Sequence, residues 1–327
     1  MTEPLDPTRE AMREATRDAT RDATRAAAAP DPPARRATDR PDLPRADEPG
    51  DRRTPPFGHV AAATAGARRL RRRRVALPGS LAVLRDVRSP QLHNRRDVYV
   101  YLPPSYGTGG DRRYPVLYMH DGQNLFDPEL SFSGAWRVDL AMQTAARLGY
   151  EAIVVGVANT GGSRLDEYSP YFDASIGGGG AADLYVDFLL HTLKPMIDAQ
   201  FRTRPEVRHT GVLGSSMGGL VSLYAFFREP HAFGACGVMS PALWFARRAI
   251  LPFVEAAEVP RGRLWLDVGT GEGARTVHNV RLLRELLLRK GFAEGDTLRV
   301  MVAAGAAHNE AAWGRRIKKA IPYLLGA

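Results

Sequence analysis

The stretch His209-Thr210-Gly211-Val212-Leu213-Gly214-Ser215-Ser216-Met217-Gly218-Gly219 decides the fold of this chain. Its apolar first half is typical of a buried strand, and a helical apolar pattern follows at 220–227. A strand that turns sharply into a helix through Gly-x-Ser-x-Gly is a nucleophile elbow, which exposes a serine hydroxyl at the end of a sheet. Ser216 is the central serine of that pattern, so we predict that Ser216, rather than Ser215, is the nucleophile.

Two backbone amides are expected to hold the oxyanion that forms when such a serine attacks a carbonyl. One belongs to Met217, which follows the predicted nucleophile and begins a helix. The second belongs to Gln123, in the loop His120-Asp121-Gly122-Gln123-Asn124 after an earlier predicted strand. His120 and Asp121 in that loop are predicted to build the turn rather than to act in catalysis.

The composition is that of a globular protein whose 327 residues allow one large α/β domain or two smaller ones. Hydrophobic residues make up 44% of the chain, which is enough for a sizeable core. The single Cys236 excludes an internal disulfide framework and a Cys-rich metal site. Its apolar neighbours at 235–239 predict a buried, unreactive thiol. Since no Gly-Lys-Ser/Thr occurs, a phosphate-binding P-loop is also excluded.

Residues 1–76 are predicted to form a disordered tail rich in Arg, Ala and Pro. Residues 1–74 hold 17 Arg against 12 Asp and Glu, so five of the nine net positive charges belong to this tail. The other four are unremarkable for an enzyme and predict no specific nucleic-acid partner. The Arg cluster at 68–74 is compatible with binding to nucleic acid or anionic lipid, but a solvated arm is favoured.

No targeting segment is expected. The apolar run Val75–Leu84 is interrupted by Pro78 and Gly79, unlike the core of a signal peptide. No stretch approaches the length of a transmembrane helix. These patterns favour a cytoplasmic location.

Residues 77–327 are predicted to form one α/β domain, because strand patterns alternate with helical ones. The first two predicted strands alternate apolar and polar residues, as an antiparallel hairpin at a sheet edge would, and the later ones are continuously apolar, as in a buried parallel sheet. The predicted strands are Leu81–Val87, Asp97–Leu102, Pro115–His120, Glu151–Val157, Ala235–Met239, Leu264–Val268 and Leu298–Val302, and the predicted helices are 136–148, 181–199, 277–290 and a last one from about residue 309. Such doubly wound sheets collect functional residues at the carboxyl ends of their strands.

An acid that orients a catalytic histidine should follow Ser216 along the chain. The predicted strand 264–268 leads into Gly269-Thr270-Gly271-Glu272, which places a carboxylate just beyond a strand end. We therefore predict that Glu272 is this acid. Asp267 is the alternative, but it lies within the strand, where a structural role is favoured.

His308 is the predicted general base. It lies between the last predicted strand and the final helix. Of the eight histidines, only His278 and His308 follow Glu272, and His278 falls within a helical pattern. The acid and the base thus follow the nucleophile at successive strand ends, in the order that this chemistry requires.

A competing motif occurs at Leu266–Gly273, which resembles the glycine-rich first motif of S-adenosylmethionine-dependent methyltransferases. In that motif an acidic residue at the end of the next strand holds the ribose of the cofactor. Only 54 residues follow Gly273, and no acid ends the predicted strand 298–302. The methyltransferase interpretation is therefore disfavoured.

Six ordered motifs make the region from about Arg96 to Leu325 similar to one esterase family of the α/β-hydrolases. This family includes enterochelin-type siderophore esterases, feruloyl and acetyl-xylan esterases, S-formylglutathione hydrolase and the mycolyltransferases. The motifs are Asp97-Val-Tyr-Val-Tyr-Leu-Pro-Pro, His120-Asp-Gly-Gln-Asn, Arg164-x-x-Glu167-Tyr168-x-Pro170, Gly214-Ser-Ser-Met-Gly-Gly, Gly269-x-x-Glu272 and Gly305-x-x-His308-Asn-Glu-x-x-Trp313. The resemblance implies an α/β-hydrolase fold, a triad of Ser216, Glu272 and His308, and an oxyanion hole at Gln123 and Met217.

The resemblance also implies a serine esterase that acts on a small-molecule carboxylic ester through an acyl-enzyme, without metal or cofactor. Acyl transfer to an acceptor other than water uses the same triad and stays open as an alternative. A binding protein on a hydrolase fold is less favoured because the triad is intact. The loop at 159–180 contains Arg164, Tyr168 and Tyr171. It is expected to border the substrate, and the alternative is that contacts within the loop only stabilise its own conformation.

Overall fold

The computed structural model describes residues 79–129, 131 and 134–326. The predicted tail at 1–76 and the first two residues of the predicted domain lie outside these residues. The described strands are β1 (Ser80–Ser89), β2 (Asn94–Leu102), β3 (Val116–His120), β4 (Ile153–Val157), β5 (Thr210–Ser215), β6 (Ala235–Met239), β7 (Arg263–Gly269) and β8 (Leu298–Ala303). The described α-helices are α1 (Val138–Arg147), α2 (Arg164–Glu167), α3 (Ala182–Phe188), α4 (Lys194–Gln200), α5 (Met217–Arg228), α6 (Ile250–Ala256), α7 (Ala274–Arg289) and α8 (Glu310–Leu325).

The described strands form one sheet in the order β1-β2-β4-β3-β5-β6-β7-β8. β1 and β2 pair antiparallel, as predicted for the edge hairpin, and β2 also pairs antiparallel with β4. All further pairs between described strands, from β4 to β8, are parallel. The predicted α/β fold is confirmed, and it brings the carboxyl ends of the parallel strands to one edge of the sheet.

Helices cover both faces of this sheet, which explains the apolar character of its strands. α1 and α8 contribute to the core on one face, whereas α3 to α7 contribute to the core on the other. In β3, Val116 and Tyr118 join one core while Leu117 and Met119 join the other. A strand that is buried on both faces needs such a continuous apolar run. Cys236 of β6 is fully buried, as predicted.

The structure differs from the predicted elements in three places, the first being α2, which lies within the loop predicted at 159–180. The helix predicted at 181–199 consists of α3 and α4 joined by a π-helical segment, Leu189–Leu193. Pro195, in the first turn of α4, has no amide to donate to the carbonyl of His191, so the regular bonding pattern is interrupted there. α6 was not predicted, because its seven residues show too short a periodic pattern. No helix within residues 79–129, 131 and 134–326 is long and apolar enough to cross a membrane.

Candidate active site

Ser216 lies in a strained turn between β5 and α5. Its φ of 55° and ψ of −121° fall where residues other than glycine are rarely found. The Ser216 amide donates to the Met239 carbonyl at 3.0 Å, and the Ser216 carbonyl accepts from the Ala242 amide at 3.0 Å. Neighbouring β6 and the loop after it therefore hold this turn in place.

The glycine before the turn allows a close approach of two backbone segments. A Cβ placed on Gly214 would lie 2.6 Å from the carbonyl carbon and oxygen of Gly218, and 2.8 Å from Cδ2 of His120. Real Cβ atoms essentially never approach backbone that closely. This close approach requires glycine at 214, and the geometry at this position is that of a nucleophile elbow.

Glu272 lies in a short turn after β7 and is anchored through both carboxylate oxygens. Oε1 accepts hydrogen bonds from the Ser240 hydroxyl at 2.6 Å and from the Gly269 amide at 2.7 Å. Oε2 lies 2.7 Å from Nδ1 of His308. Of the two carboxylates weighed from the sequence, the structure brings Glu272 to His308. Asp267 instead accepts from the Trp265 indole at 2.9 Å and lies 3.1 Å from Nε of Arg316.

The two carboxylates differ in their acidity. Burial raises the pKa of Asp267 to about 6, since the nearby Arg316 charge and the Trp265 hydrogen bond offset only part of the desolvation. Burial acts on Glu272 in the same direction, but the hydrogen bonds from His308, Ser240 and the Gly269 amide outweigh it and lower the pKa of Glu272. Glu272 is therefore ionised at neutral pH, as an orienting acid must be.

His308 is held on two sides. Its Nδ1 faces Glu272, and its ring meets the indole of Trp313 edge-on, with centroids 4.9 Å apart and planes at 82°. When Nδ1 donates to the carboxylate, Nε2 of the neutral ring is left as an acceptor. The side chain is 41% exposed, so a reacting group can approach it from solvent.

The loop that carries His308 is fastened to the turn that carries Glu272. The Gly305 amide donates to the Thr270 hydroxyl at 2.7 Å, and the Gly271 amide donates to the Ala306 carbonyl at 3.1 Å. A Cβ on Gly269 would lie 2.0 Å from the Ala306 carbonyl oxygen, so this approach requires glycine at 269. The spacing between base and acid is thereby set by backbone contacts.

Ser240 is a contributor that the sequence interpretation missed. It follows β6 directly, and its hydroxyl accepts from the Trp313 indole at 3.0 Å and from Nη2 of Arg316 at 2.6 Å. It donates to Glu272, so its one proton and both lone pairs are used. Its position at the carboxyl end of a parallel strand was the available signal. Nothing in the sequence reveals that Trp313 and Arg316 of α8 reach it.

The predicted oxyanion turn follows β3 as a 3₁₀ turn at Gly122–Asn124. The backbone bonds of this turn are donated by the amides of Asn124 and Leu125, and the carbonyl oxygen of the Gln123 side chain accepts from the Asn159 amide at 3.2 Å. The Gln123 amide is therefore not used within its own turn. Met217 is the first residue of α5, where a helix amide has no intrahelical acceptor. β3 and β5 are adjacent in the sheet, but the role of these amides stays a prediction.

The three named residues of the predicted substrate loop differ in their burial and in their hydrogen-bond partners. Nε and Nη2 of Arg164 donate to the two carboxylate oxygens of Asp121, at 2.7 and 2.8 Å. Tyr168 is fully buried, and its hydroxyl accepts from the Asp121 amide at 3.1 Å. Tyr171 is half-buried, with its carbonyl accepting from the Ser169 hydroxyl at 2.9 Å. The contacts of Arg164 and Tyr168 are those of residues that brace the oxyanion turn, and a substrate contact remains a prediction.

His120 is a buried neighbour of the same turn. Its Nδ1 lies 2.8 Å from the Tyr185 hydroxyl. Burial is the main cause that lowers the pKa of His120 to about 4, so the ring is neutral at neutral pH. Asp121 has a φ of 55°, which suits the turn-building role predicted for both residues. Among the described residues, no group of three or more His, Cys, Asp or Glu side chains is placed to hold a metal ion.

A family model described as "Putative esterase" matches residues 89–324. The chain belongs to this esterase family. It is accordingly a carboxylic ester hydrolase, as the sequence motifs predicted. The esterase is 28% identical over 247 residues to the uncharacterized protein YbbA of Bacillus subtilis, an alignment that covers 71% of this chain and 93% of that one.

Two further relatives carry more specific descriptions. The siderophore triacetylfusarinine C esterase of Aspergillus fumigatus is 30% identical over 155 residues, which cover 44% of this chain and 51% of that enzyme. The crystal structure of an IroE-like serine hydrolase from Shewanella oneidensis superposes with a TM-score of 0.62 at 20% identity, covering 76% of this chain and 80% of the other. That structural likeness supports the α/β-hydrolase fold of the esterase.

Proposed function

We propose that the esterase cleaves its ester through a triad of Ser216, His308 and Glu272 and a covalent acyl-enzyme. The observation that carries this proposal is the 2.7 Å contact between Glu272 and Nδ1 of His308, at the strand edge where Ser216 occupies a strained elbow. β5, β6, β7 and β8 are successive neighbours in the sheet, so the three side chains follow strand ends on one edge.

In the first half of the reaction, Oγ of Ser216 attacks the ester carbonyl and its proton passes to Nε2 of His308. The carbonyl oxygen becomes an oxyanion, which accepts hydrogen bonds from the amides of Met217 and Gln123. The C–O bond to the alcohol then breaks, and His308 returns the proton to the leaving oxygen. The products of this half are an alcohol and an acyl-Ser216.

In the second half, water takes the place of the alcohol. His308 removes a proton from the water while the water oxygen attacks the acyl carbonyl. Collapse of the second oxyanion releases the carboxylic acid, and the proton returns to Ser216. Glu272 stays ionised throughout and stabilises the imidazolium that forms in each half.

A serine-directed reagent tests the nucleophile. Wild-type protein should hydrolyse p-nitrophenyl acetate and bind one fluorophosphonate, and Ser216→Ala should lose both. The matched control is Ser215→Ala, which removes the buried neighbouring hydroxyl and should keep both. Labelling that persists in Ser216→Ala would overturn the assignment. Glu272→Gln should retain labelling at a rate reduced by about 10⁴, the order seen when a triad acid is neutralised.

A further inference from the structure

A cleft of about 210 Å³ lies between the loop after β6 and the first turns of α7. Its lining residues are Trp244, Arg247, Arg248, Arg275 and Asn279. The three arginines are exposed, and none of them forms an ion pair or a side-chain hydrogen bond with another residue of the described part of the chain. A cleft lined by charges of one sign concentrates counter-ions, so this one favours an anionic group.

The cleft also contains a neutral polar group. Asn279 is only 4% exposed, and its side chain lines the cleft without a hydrogen bond to any other described residue. Its side-chain amide is not among the fully enclosed polar atoms of the described residues, so it is open to the cleft and available to donate to a bound group. Trp244 is 45% exposed and adds an aromatic surface beside the charges.

Two of the three arginines, Arg247 and Arg248, lie in a turn with an unusual backbone conformation. Ala246, Arg247 and Arg248 all have positive φ, at 46°, 55° and 66°, which is unfavourable for residues with a Cβ. The Ala246 amide donates to the Asp173 carboxylate at 2.9 Å, which fastens this turn to the predicted substrate loop. The pKa of Asp173 is lowered first by hydrogen bonding from Ser175 and also by the Arg247 charge.

Both walls of the cleft lie close along the chain to the proposed triad or to a residue bonded to it. The Ala242 amide donates to the Ser216 carbonyl. Trp244 lies two residues beyond Ala242, so the Cα atoms of Ala242 and Trp244 are at most about 8 Å apart. Arg275 is three residues beyond Glu272, at most about 11 Å along the chain. An extended arginine side chain spans much of that distance. The chain therefore places both walls of the cleft near the proposed triad.

We propose that this cleft binds a carboxylate carried by the ester substrate, with Arg247, Arg248 and Arg275 as the cationic contacts, Asn279 as a hydrogen-bond donor and Trp244 against the adjoining carbon frame. This inference rests on the proposed function, because it assigns a substrate class to the same site. The preferred substrate is then an anionic ester rather than a neutral one. Arg275 and Arg247 are specificity residues and take no part in the proton transfers.

Two matched pairs of esters test the proposal. 4-Acetoxybenzoate and its methyl ester differ by a carboxylate on the alcohol side. The mono-p-nitrophenyl ester of succinic acid and its methyl ester differ by a carboxylate on the acyl side. kcat/KM is measured for each with wild type, Arg275→Gln, Arg247→Gln and the control Arg281→Gln. Arg281 is an exposed arginine of α7 that does not line the cleft.

Wild type should prefer the anionic member of at least one pair, and the pair that shows this identifies the side that enters the cleft. Arg275→Gln and Arg247→Gln should each lower kcat/KM for that anionic ester roughly tenfold, the lower end of what a charge-assisted hydrogen bond contributes. The neutral esters and the Arg281→Gln control should be unaffected. Equal losses on both members of a pair, or a wild-type preference for both neutral esters, would overturn the inference and leave the triad intact. Wild type that hydrolyses none of the four esters and resists fluorophosphonate would overturn the proposed function as well.

Discussion

Removal of the Ser240 hydroxyl should impair the esterase without touching any of the proposed triad residues. This hydroxyl donates to Glu272 and accepts from Trp313 and Arg316. Trp313 in turn packs edge-on against His308. Ser240→Ala therefore loosens both side chains that hold the histidine, the acid at Nδ1 and the indole beside the ring.

The expected loss in the free energy of unfolding follows from the three hydrogen bonds that Ser240→Ala removes. The bonds to Glu272 and from Arg316 involve charged groups and contribute at least about 1.5 kcal/mol each, and the bond from the Trp313 indole contributes about 1 kcal/mol. A water molecule in place of the hydroxyl would restore part of this sum, so we expect the free energy of unfolding to fall by roughly 2–4 kcal/mol. Glu272 keeps its bond from the Gly269 amide and its contact with His308, so kcat should fall only about 10- to 100-fold, well short of the loss expected for Glu272→Gln.

Steady-state hydrolysis of p-nitrophenyl acetate and urea unfolding measure the two effects. A residue that only positions the triad should change kcat and leave KM nearly constant. Ser89→Ala is the control, because Ser89 is a fully buried serine of β1 whose hydroxyl accepts from the Leu92 amide, in a strand remote from the site. That variant should lose stability and keep kcat. If Ser240→Ala retains kcat within twofold and loses less than about 0.5 kcal/mol of stability, the hydroxyl does not position Glu272.

Three further perturbations probe the supports of the site. Gly214→Ala places a Cβ 2.6 Å from the Gly218 backbone, so the elbow must shift, and we expect fluorophosphonate labelling to be lost together with several kcal/mol of stability, measured by thermal unfolding. Tyr168→Phe removes the acceptor of the Asp121 amide, and calorimetry should show a loss of about 1–3 kcal/mol, with kcat lowered if this turn holds the oxyanion. Asp267 has its pKa raised to about 6 in the folded state, so its contribution to stability is present below about pH 4 and is lost as the pH rises through 6. The free energy of unfolding of wild type relative to Asp267→Asn should therefore fall by roughly 2 kcal/mol between pH 4 and pH 7, and a difference that does not change with pH would contradict the burial argument.

Most of the fold was predictable because most of its strands and helices show their own local hydrophobic pattern. The strand at 235–239 was predicted to the residue, and the continuous apolar run at 116–120 correctly indicated a strand covered on both faces. The π-helical segment Leu189–Leu193 was not predicted, because a helix that contains one proline can continue, kink or change its hydrogen-bonding pattern. α6 was not predicted because its seven residues are too few to show helical periodicity.

The site was predictable to the extent that its residues follow strand ends. Glu272 and His308 were chosen by order and position, and the structure places them 2.7 Å apart. The contacts that position them come from residues distant in sequence, such as Ser240 and Arg316, 76 residues apart along the chain. No local pattern encodes such a contact. The Arg164–Asp121 pair shows the same limit, because an arginine in a glycine-rich loop suggests a ligand contact until the buried carboxylate opposite it is known.

The arrangement of Arg316 explains why Glu272, and not Asp267, is available to orient the histidine. The guanidinium is 4% exposed and lies 3.1 Å from Asp267 and 3.4 Å from Glu272, so one buried cation faces two buried carboxylates. Two carboxylates that share one positive charge cannot both be fully stabilised as anions. Glu272 has further donors in Ser240, the Gly269 amide and His308. Among the described residues, Asp267 has only the Trp265 indole besides Arg316, and its contact with Nε of Arg316 falls short of hydrogen-bond geometry. The negative charge therefore resides on Glu272 at neutral pH, and Asp267 gains a proton first as the pH falls.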